Sequence, residues 1–178
     1  MLEFIVSPVD NTAQGVVEAK GENSEVIMAV TLESGHYTNA GLIAAVDSGT
    51  VVINDPDAYF FYNTNGTIEA GHGSTVAIED TDIVGGFVTV LTGGILEAGG
   101  PVSVPFGLGP ATITGAVVTN AGTIGAEGAN LTIIGDVANT GTLDANNATL
   151  VTEPSRPSCE PMRCRLPRFS STLNVFCS

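Results

Sequence analysis

The 178-residue sequence predicts an all-β fold, a parallel β-solenoid of about five to six coils. Three observations predict it: a short phrase with one glycine recurs along the chain, apolar and polar residues alternate, and no window carries a helical apolar stripe. In a solenoid, each coil buries its inward side chains against neighbouring coils, at the ordinary strand spacing of about 4.8 Å. A phrase that repeats at coil length fits that arrangement.

The phrase has the form x-x-Gly-x-Val/Ile/Leu-x-Ala, and its glycines are 26, 25, 28, 28 and 19 residues apart. Its six copies occupy 13–19, 39–45, 64–70, 92–98, 120–126 and 139–145. An antiparallel sandwich or barrel would also accommodate many strands. Hairpin-linked strands at intervals of roughly 8–12 residues do not explain a phrase that recurs at coil length, so the solenoid is favoured.

The branched residue and the alanine of each copy are expected to point inward, while Thr, Glu and Asp at alternate sites face water. In the copy at 120–126, Gly122 is predicted to permit a turn, and Ile124 and Ala126 to face the core. Glycine and asparagine between the strands are expected to supply positive φ at tight corners. Further inward positions are predicted at Val51, Ile53, Val76, Ile78, Leu131, Ile133 and Leu150.

Charge divides the chain into a solenoid domain at residues 1–152 and a tail at residues 153–178. The first part holds one basic residue, Lys20, against seventeen acids, a formal charge of −16. Such a body repels phosphates and anionic membranes, so neither nucleic-acid binding nor membrane insertion is expected. The tail carries four of the nine prolines and all three cysteines, and is predicted to be disordered, without a disulfide or zinc pattern. No signal peptide is recognised at the N-terminus.

The stretch "NAGTIGAEGANLTIIGDVANTGTLDANNATL" at 120–150 resembles the repeats of large secreted or surface proteins of bacteria. These are autotransporter passengers, filamentous-haemagglutinin-like adhesins and very long repeat proteins of soil proteobacteria. The resemblance covers roughly residues 13–152 and implies a right-handed parallel β-helix. It also implies an extracellular or cell-surface location, as part of a longer protein.

The function expected of such a segment is structural or adhesive, without catalysis. The expected partners are a glycan or matrix surface and further copies of the chain, which would associate through uncapped solenoid ends. Two alternatives stay open. One is an orphan fragment of a larger repeat protein without independent activity; the other is a polysaccharide-active β-helix enzyme, either a lyase or a hydrolase.

The enzyme alternative depends on acidic residues, since the body has no arginine to serve as a lyase base. A glycoside hydrolase needs two carboxyl groups that flank its substrate. The candidates follow the second strand of two coils, in "INDPDAYF" and "IEDTDIVG", and are Asp55, Asp57, Glu79, Asp80 and Asp82. The simpler interpretations are an Asp-rich turn for the first group and a solvated corner for the second. The same oxygens are the candidate calcium ligands, and no other metal or cofactor is predicted.

Two further features have simple interpretations. His36 and His72 each lie beside a glycine and are predicted to be surface turn residues, because no metal-binding or acid–base partner is evident. The aromatic cluster "DAYFFYN" at 57–63 is expected either to stack on sugar rings or to fill the solenoid interior.

Overall fold

The structure, a computed structural model, describes residues 2–5, 10–29, 37–54, 60–99 and 109–155. Within these ranges it contains eighteen β-strands and no helix. The strands are β1 (Leu2–Ile5), β2 (Asp10–Asn11), β3 (Val16–Lys20), β4 (Glu25–Ala29), β5 (Thr38–Asn39), β6 (Leu42–Val46), β7 (Thr50–Asn54), β8 (Phe60–Tyr62), β9 (Thr67–Ala70), β10 (Thr75–Glu79), β11 (Asp82–Val84), β12 (Phe87–Val90), β13 (Ile95–Gly99), β14 (Ala111–Asn120), β15 (Thr123–Glu127), β16 (Leu131–Asn139), β17 (Thr142–Asn146) and β18 (Leu150–Glu153). The predicted tail lies outside the described residues from position 156 onward.

The strands stack in three columns, and every strand pair within the described ranges is parallel. The third column is a seven-stranded sheet in the order β1-β4-β7-β10-β13-β15-β17. The other two columns belong to one eleven-stranded sheet, because β14 and β16 each run through both. The first column holds β2, β5, β8, β11, the first halves of β14 and β16, and β18; the second holds β3, β6, β9, β12 and the second halves of β14 and β16.

The chain passes through the first, second and third columns in turn and then returns to the first. Parallel strands that return to the same column after each circuit are the arrangement of a β-solenoid. The prediction of an all-β fold with stacked parallel strands is therefore confirmed.

The core consists of in-register rows that run along the three columns. In the third column one inward row contains Val26, Val51, Val76, Leu96 and Ile124. All five side chains are buried in one apolar cluster, and each such side chain contributes roughly 1.5–3 kcal/mol relative to exposure. The predicted inward positions are confirmed, and they are Val51, Ile53, Val76, Ile78, Ile124, Ala126, Leu131, Ile133 and Leu150.

The six copies of the phrase occupy two different columns. The copies at 13–19, 39–45 and 64–70 enter β3, β6 and β9 of the second column. Those at 92–98, 120–126 and 139–145 enter β13, β15 and β17 of the third. The phrase therefore moves from the second column to the third between Gly66 and Gly94, and their 28-residue interval is not the length of a coil. At this point of the second column, Thr67 pairs with Phe87 of the next coil, which is 20 residues along the chain. The interpretation of the copies as one equivalent position in successive coils is wrong.

The phrase fits both columns because asparagine and glycine build the same corner in each. At the corner between the first and second columns, the Asn39 amide donates to Asn63 Oδ1 at 2.7 Å and accepts from Asn11 Nδ2 at 2.8 Å. Asn39 Oδ1 also accepts from the Gly41 amide at 3.1 Å. These bonds satisfy buried polar groups from one circuit of the chain to the next.

The corner between the second and third columns repeats this pattern. Asn120 Nδ2 donates to Asn139 Oδ1 at 2.7 Å, and Asn120 Oδ1 accepts from the Gly122 amide at 3.1 Å. The spacing Asn-x-Gly is therefore a local unit that closes either corner.

Close approach, rather than positive φ, explains the glycine of this unit. Gly122 does not have a positive φ, and a Cβ at this position would clash with the carbonyl oxygens of Gly94 and Leu91. The expectation that glycine and asparagine between the strands supply positive φ does not extend to the six phrase glycines, since none of them has one. That expectation is confirmed at Asn23, Asn65 and Asn147 and at glycines such as Gly73 and Gly128.

Replacing Gly122 with alanine is expected to destabilise the fold by about 1–3 kcal/mol, because its Cβ meets fixed backbone atoms. Gly125→Ala, three residues along, is the matched control. A Cβ there would make ordinary contacts at 3.8 Å with Glu97 Cβ and at 3.9 Å with Glu127 Cγ. We expect that control to be neutral or stabilising by up to about 1 kcal/mol. Urea unfolding measures both, and equal losses would contradict the close-approach explanation.

Asn39→Ala is expected to lower the free energy of unfolding by about 2–3 kcal/mol, because it leaves buried amide groups of Asn11 and Asn63 without their partner. Asn139→Ala is the control, since Asn139 lies in an exposed position at the end of its ladder. Its cost is expected to stay below about 1 kcal/mol. A loss at Asn39 no larger than the loss at Asn139 would show that the buried ladder does not stabilise the corner.

Candidate functional site

The predicted acids lie on different sides of the solenoid. Glu79 ends β10 and points outward from the third column, because Val76 and Ile78 of the same strand face the core. Asp82 begins β11 and points outward from the first column, because its neighbour Ile83 is in the core. The two carboxyl groups therefore belong to different faces.

Asp80 lies at the corner between these faces. Its backbone has a φ of 47°, its amide donates to the Gly109 carbonyl at 3.3 Å, and its side chain packs against Gly109. Asp55 and Asp57 lie outside the described residues. Within the described ranges, no three Asp, Glu, His or Cys side chains are arranged to hold a metal ion. Of the three described acids, Glu79 and Asp82 thus lie on different faces, with Asp80 at the corner between them.

Glu79 is fully buried, with an exposed fraction of 0%. The interpretation of this segment as a solvated corner is therefore wrong for Glu79. Its Oε2 accepts a hydrogen bond from Asn54 Nδ2 at 3.2 Å. Within the described structure, Glu79 Oε1 and Asn54 Oδ1 are both buried without a hydrogen-bond partner. Two buried acceptors of the described residues thus lack a hydrogen-bond donor.

The pKa of Glu79 is raised to about 7, chiefly by burial; the hydrogen bond from Asn54 opposes the rise and the nearby carboxylate of Glu97 adds to it. Glu97 lies on β13, the next strand of the column, and is also buried. Burial and the charge of Glu127 raise the pKa of Glu97 as well. Glu127 Oε2 in turn accepts a hydrogen bond from Asn146 Nδ2 at 3.0 Å.

No basic side chain neutralises these acids within the described ranges. Lys20 is their only basic residue, and it forms an exposed ion pair with Asp47 at 3.8 Å. Apolar residues share the outward side of the column with Glu79, and they are buried too: Ile27, Ala29, Val52 and Ala77. The expectation that alternate positions face water is wrong for this part of the third column.

A second candidate site lies on the outer face of the first column. On β8, Phe61 faces inward and its ring stacks on Tyr37 at a centroid distance of 5.7 Å. Phe60 and Tyr62 point outward, with ring centroids 6.1 Å apart, and Phe60 is 44% exposed. The expectation that the aromatic cluster fills the interior is therefore confirmed for Phe61. Phe60 and Tyr62 lie on the outer face, and their stacking on sugar rings stays a prediction.

Polar side chains lie beside this aromatic pair, because the register aligns neighbouring strands. Asp82, Thr112 and Thr132 continue the row of Phe60, one strand apart each. Thr38 lies opposite Tyr62 on β5. The exposed ring of Phe60 and the half-buried ring of Tyr62 thus lie next to carboxylate and hydroxyl groups, so this face combines apolar surface with hydrogen-bonding groups.

His72, the histidine within the described residues, lies away from both candidate sites. His72 is exposed in the turn before β10, as predicted, and it lies beside Gly93. His36 lies outside the described residues. Among the described residues there is also no helix of the length and apolarity needed to cross a membrane.

Comparison with protein-family models, with curated proteins and with solved structures gave no match. The resemblance to bacterial surface repeats therefore stays a prediction.

The free energy of unfolding is expected to fall as pH rises from about 4.5 to 7 and then to level off. In this range the unfolded chain loses the proton of Glu79, whereas the folded chain keeps it until about pH 7. The contribution of Glu79 is about 3 kcal/mol, the free energy that corresponds to its shift in pKa. Urea unfolding at several pH values measures it.

In Glu79→Gln this contribution is expected to vanish, because glutamine resembles the protonated acid and does not titrate. Asp136→Asn, at an exposed acid, is expected to keep the pH-dependent fall. A wild-type profile that is flat over this range, or a variant that keeps the full fall, would contradict the assignment to Glu79.

Proposed function

We propose that the chain is a right-handed parallel β-helix segment of about five to six coils, acting as a non-catalytic structural or adhesive module. The observation that carries the proposal is the outer face of the first column, where the rings of Phe60 and Tyr62 stand beside Asp82 and Thr112. Rings of this kind stack on the apolar faces of sugars, and the polar groups hydrogen-bond to sugar hydroxyls. The resemblance to bacterial secreted or surface proteins agrees with this role.

The ligand that fits this face is an uncharged glycan. The first 152 residues carry a formal charge of −16 with Lys20 as their only basic residue. Anionic polysaccharides, phosphates and anionic membranes would all be repelled by such a body. An uncharged sugar chain avoids this repulsion and still uses both the rings and the polar groups.

The C-terminal end supports the stacking of a further unit. In the second column, residues 136–139 of β16 pair with β14, whereas β18, the last strand of the described residues, pairs with residues 131–134 of β16 in the first column. An open depression of about 520 Å³ lies there, lined by residues that include Val117, Val137 and Glu153. This is the position where the next strand of a solenoid would add. Further coils of a longer protein, or another copy of the chain, are the units proposed to extend it.

A polysaccharide hydrolase draws no support from the described acids. Glu79 has no exposed surface with which to reach a substrate, and Asp82 points outward from a different column. Retaining or inverting hydrolysis needs two carboxyl groups that flank one bond, at separations of about 5–9.5 Å.

The double variant Phe60→Ala/Tyr62→Ala is expected to weaken binding to an insoluble neutral polysaccharide, cellulose or chitin, by about tenfold, which corresponds to about 1.4 kcal/mol. Depletion of the full chain from solution measures the affinity. Phe87→Ala is the matched control, because Phe87 is equally exposed, at 49%, but lies on the second column. Equal weakening by the control, or a wild-type chain that binds neither polysaccharide, would overturn the assignment.

A further inference from the structure

We propose that Asn54 and Glu79 form a buried proton-binding site, in which one proton on the Glu79 carboxyl group is shared with the Asn54 amide. This site is independent of the glycan-binding face, which lies on a different column. It is built by the last residues of β7 and β10, which pair in register across the third column.

When Glu79 is ionised, the Asn54–Glu79 pair lacks one hydrogen-bond donor. One bond joins Asn54 Nδ2 to Glu79 Oε2 at 3.2 Å. The remaining atoms, Glu79 Oε1 and Asn54 Oδ1, are both acceptors and both lack a partner in the described structure. A protonated carboxyl group offers one donor and one acceptor, as a primary amide does, so a proton on Oε1 supplies the missing donor.

The surrounding charges favour the proton. Glu97 lies diagonally from Glu79 on β13, where it pairs with Ala77, and its charge acts on Glu79. Glu127 lies on the following strand, and Asp80 adjoins Glu79 in the chain. From β7 the facing group is the neutral amide of Asn54. Lys20 is engaged with Asp47 at the surface. A buried carboxylate among acids, without a cation partner, is unfavourable, whereas a neutral carboxyl group hydrogen-bonded to an amide is not.

A metal ion fits this site less well than a proton does. The pair offers two unpartnered oxygens, whereas calcium takes about six to eight oxygen ligands. The described residues supply no third acidic or histidine ligand arranged with them. The two oxygens therefore suit a single proton better than a metal ion.

The consequence is that strand pairing in the third column becomes more stable as the pH falls. Once the proton leaves, the ionised Glu79 is buried beside Glu97, and both unpartnered acceptors persist. The pairing of β10 with β7 and β13 is expected to weaken above neutral pH, while the pairing of β15 with β17 is unaffected.

Carbon-13 NMR of the glutamate carboxyl groups of the full chain tests the site directly. One glutamate resonance is expected to titrate near pH 7. It should be absent from Glu79→Gln and present in Glu97→Gln, where the midpoint moves down because a like charge has been removed. Glu97→Gln makes the same chemical change on the next strand of the same column, so it controls for loss of an acid as such.

Three results would overturn the proposal: no glutamate titrating above about pH 6, a resonance titrating near pH 7 that survives in Glu79→Gln but disappears in Glu97→Gln, or a midpoint lowered by more than one pH unit in millimolar calcium chloride. The last would identify a metal site instead. Hydrogen exchange of the wild-type chain requires no variant to fold. Corrected for intrinsic rates, it is expected to quicken at β10 relative to β15 above pH 7, and uniform protection would also overturn the proposal.

Discussion

Each coil of this chain must stack on the preceding coil at the spacing of neighbouring β-strands. This constraint is most severe at the corners, where the backbone turns from one column to the next. At Gly122 the backbone approaches the carbonyl oxygens of Gly94 and Leu91 so closely that a Cβ does not fit. The asparagine two residues earlier satisfies the polar groups that the corner buries. Glycine provides the space and asparagine the hydrogen bonds, and the flat core rows of the three columns depend on both.

This pairing of roles explains what the sequence could predict. The inward residues follow from period-two alternation, because a strand with one buried face has no other pattern, and Val51, Val76 and Ile124 lie where expected. The column of each copy could not be predicted. Asn39-Ala40-Gly41 and Asn120-Ala121-Gly122 have the same spacing of polar and small residues, yet they close different corners. Because the Asn-x-Gly unit closes either corner, its presence in the sequence does not show which corner, and therefore which column, a given copy occupies.

The buried site escaped prediction for a different reason. Alternation separates the two sides of a strand, but it does not show whether the outer side meets water. Ala77 and Glu79 lie on the outer side of β10 and are both buried. The only sequence signal was the 25-residue interval between Asn54 and Glu79, which equals the local register step. On β8 alternation separated Phe61 from Phe60 and Tyr62, and only the stacking of Phe61 on Tyr37 decides which ring is inward.

In-register parallel stacking also limits how an acidic chain can place its carboxylates. Residues at one position lie directly above each other, so a repeated glutamate would set like charges side by side along the column, which is destabilising. The last outward position of the third column avoids this, since no acid in it stacks on another acid. It reads Ala29, Asn54, Glu79, Gly99, Glu127 and Asn146. Both of its glutamates accept a hydrogen bond from a neighbouring asparagine. Glu79 and Glu127 differ in burial. Glu79 has no access to water, and its burial disfavours the ionised form of its carboxyl group.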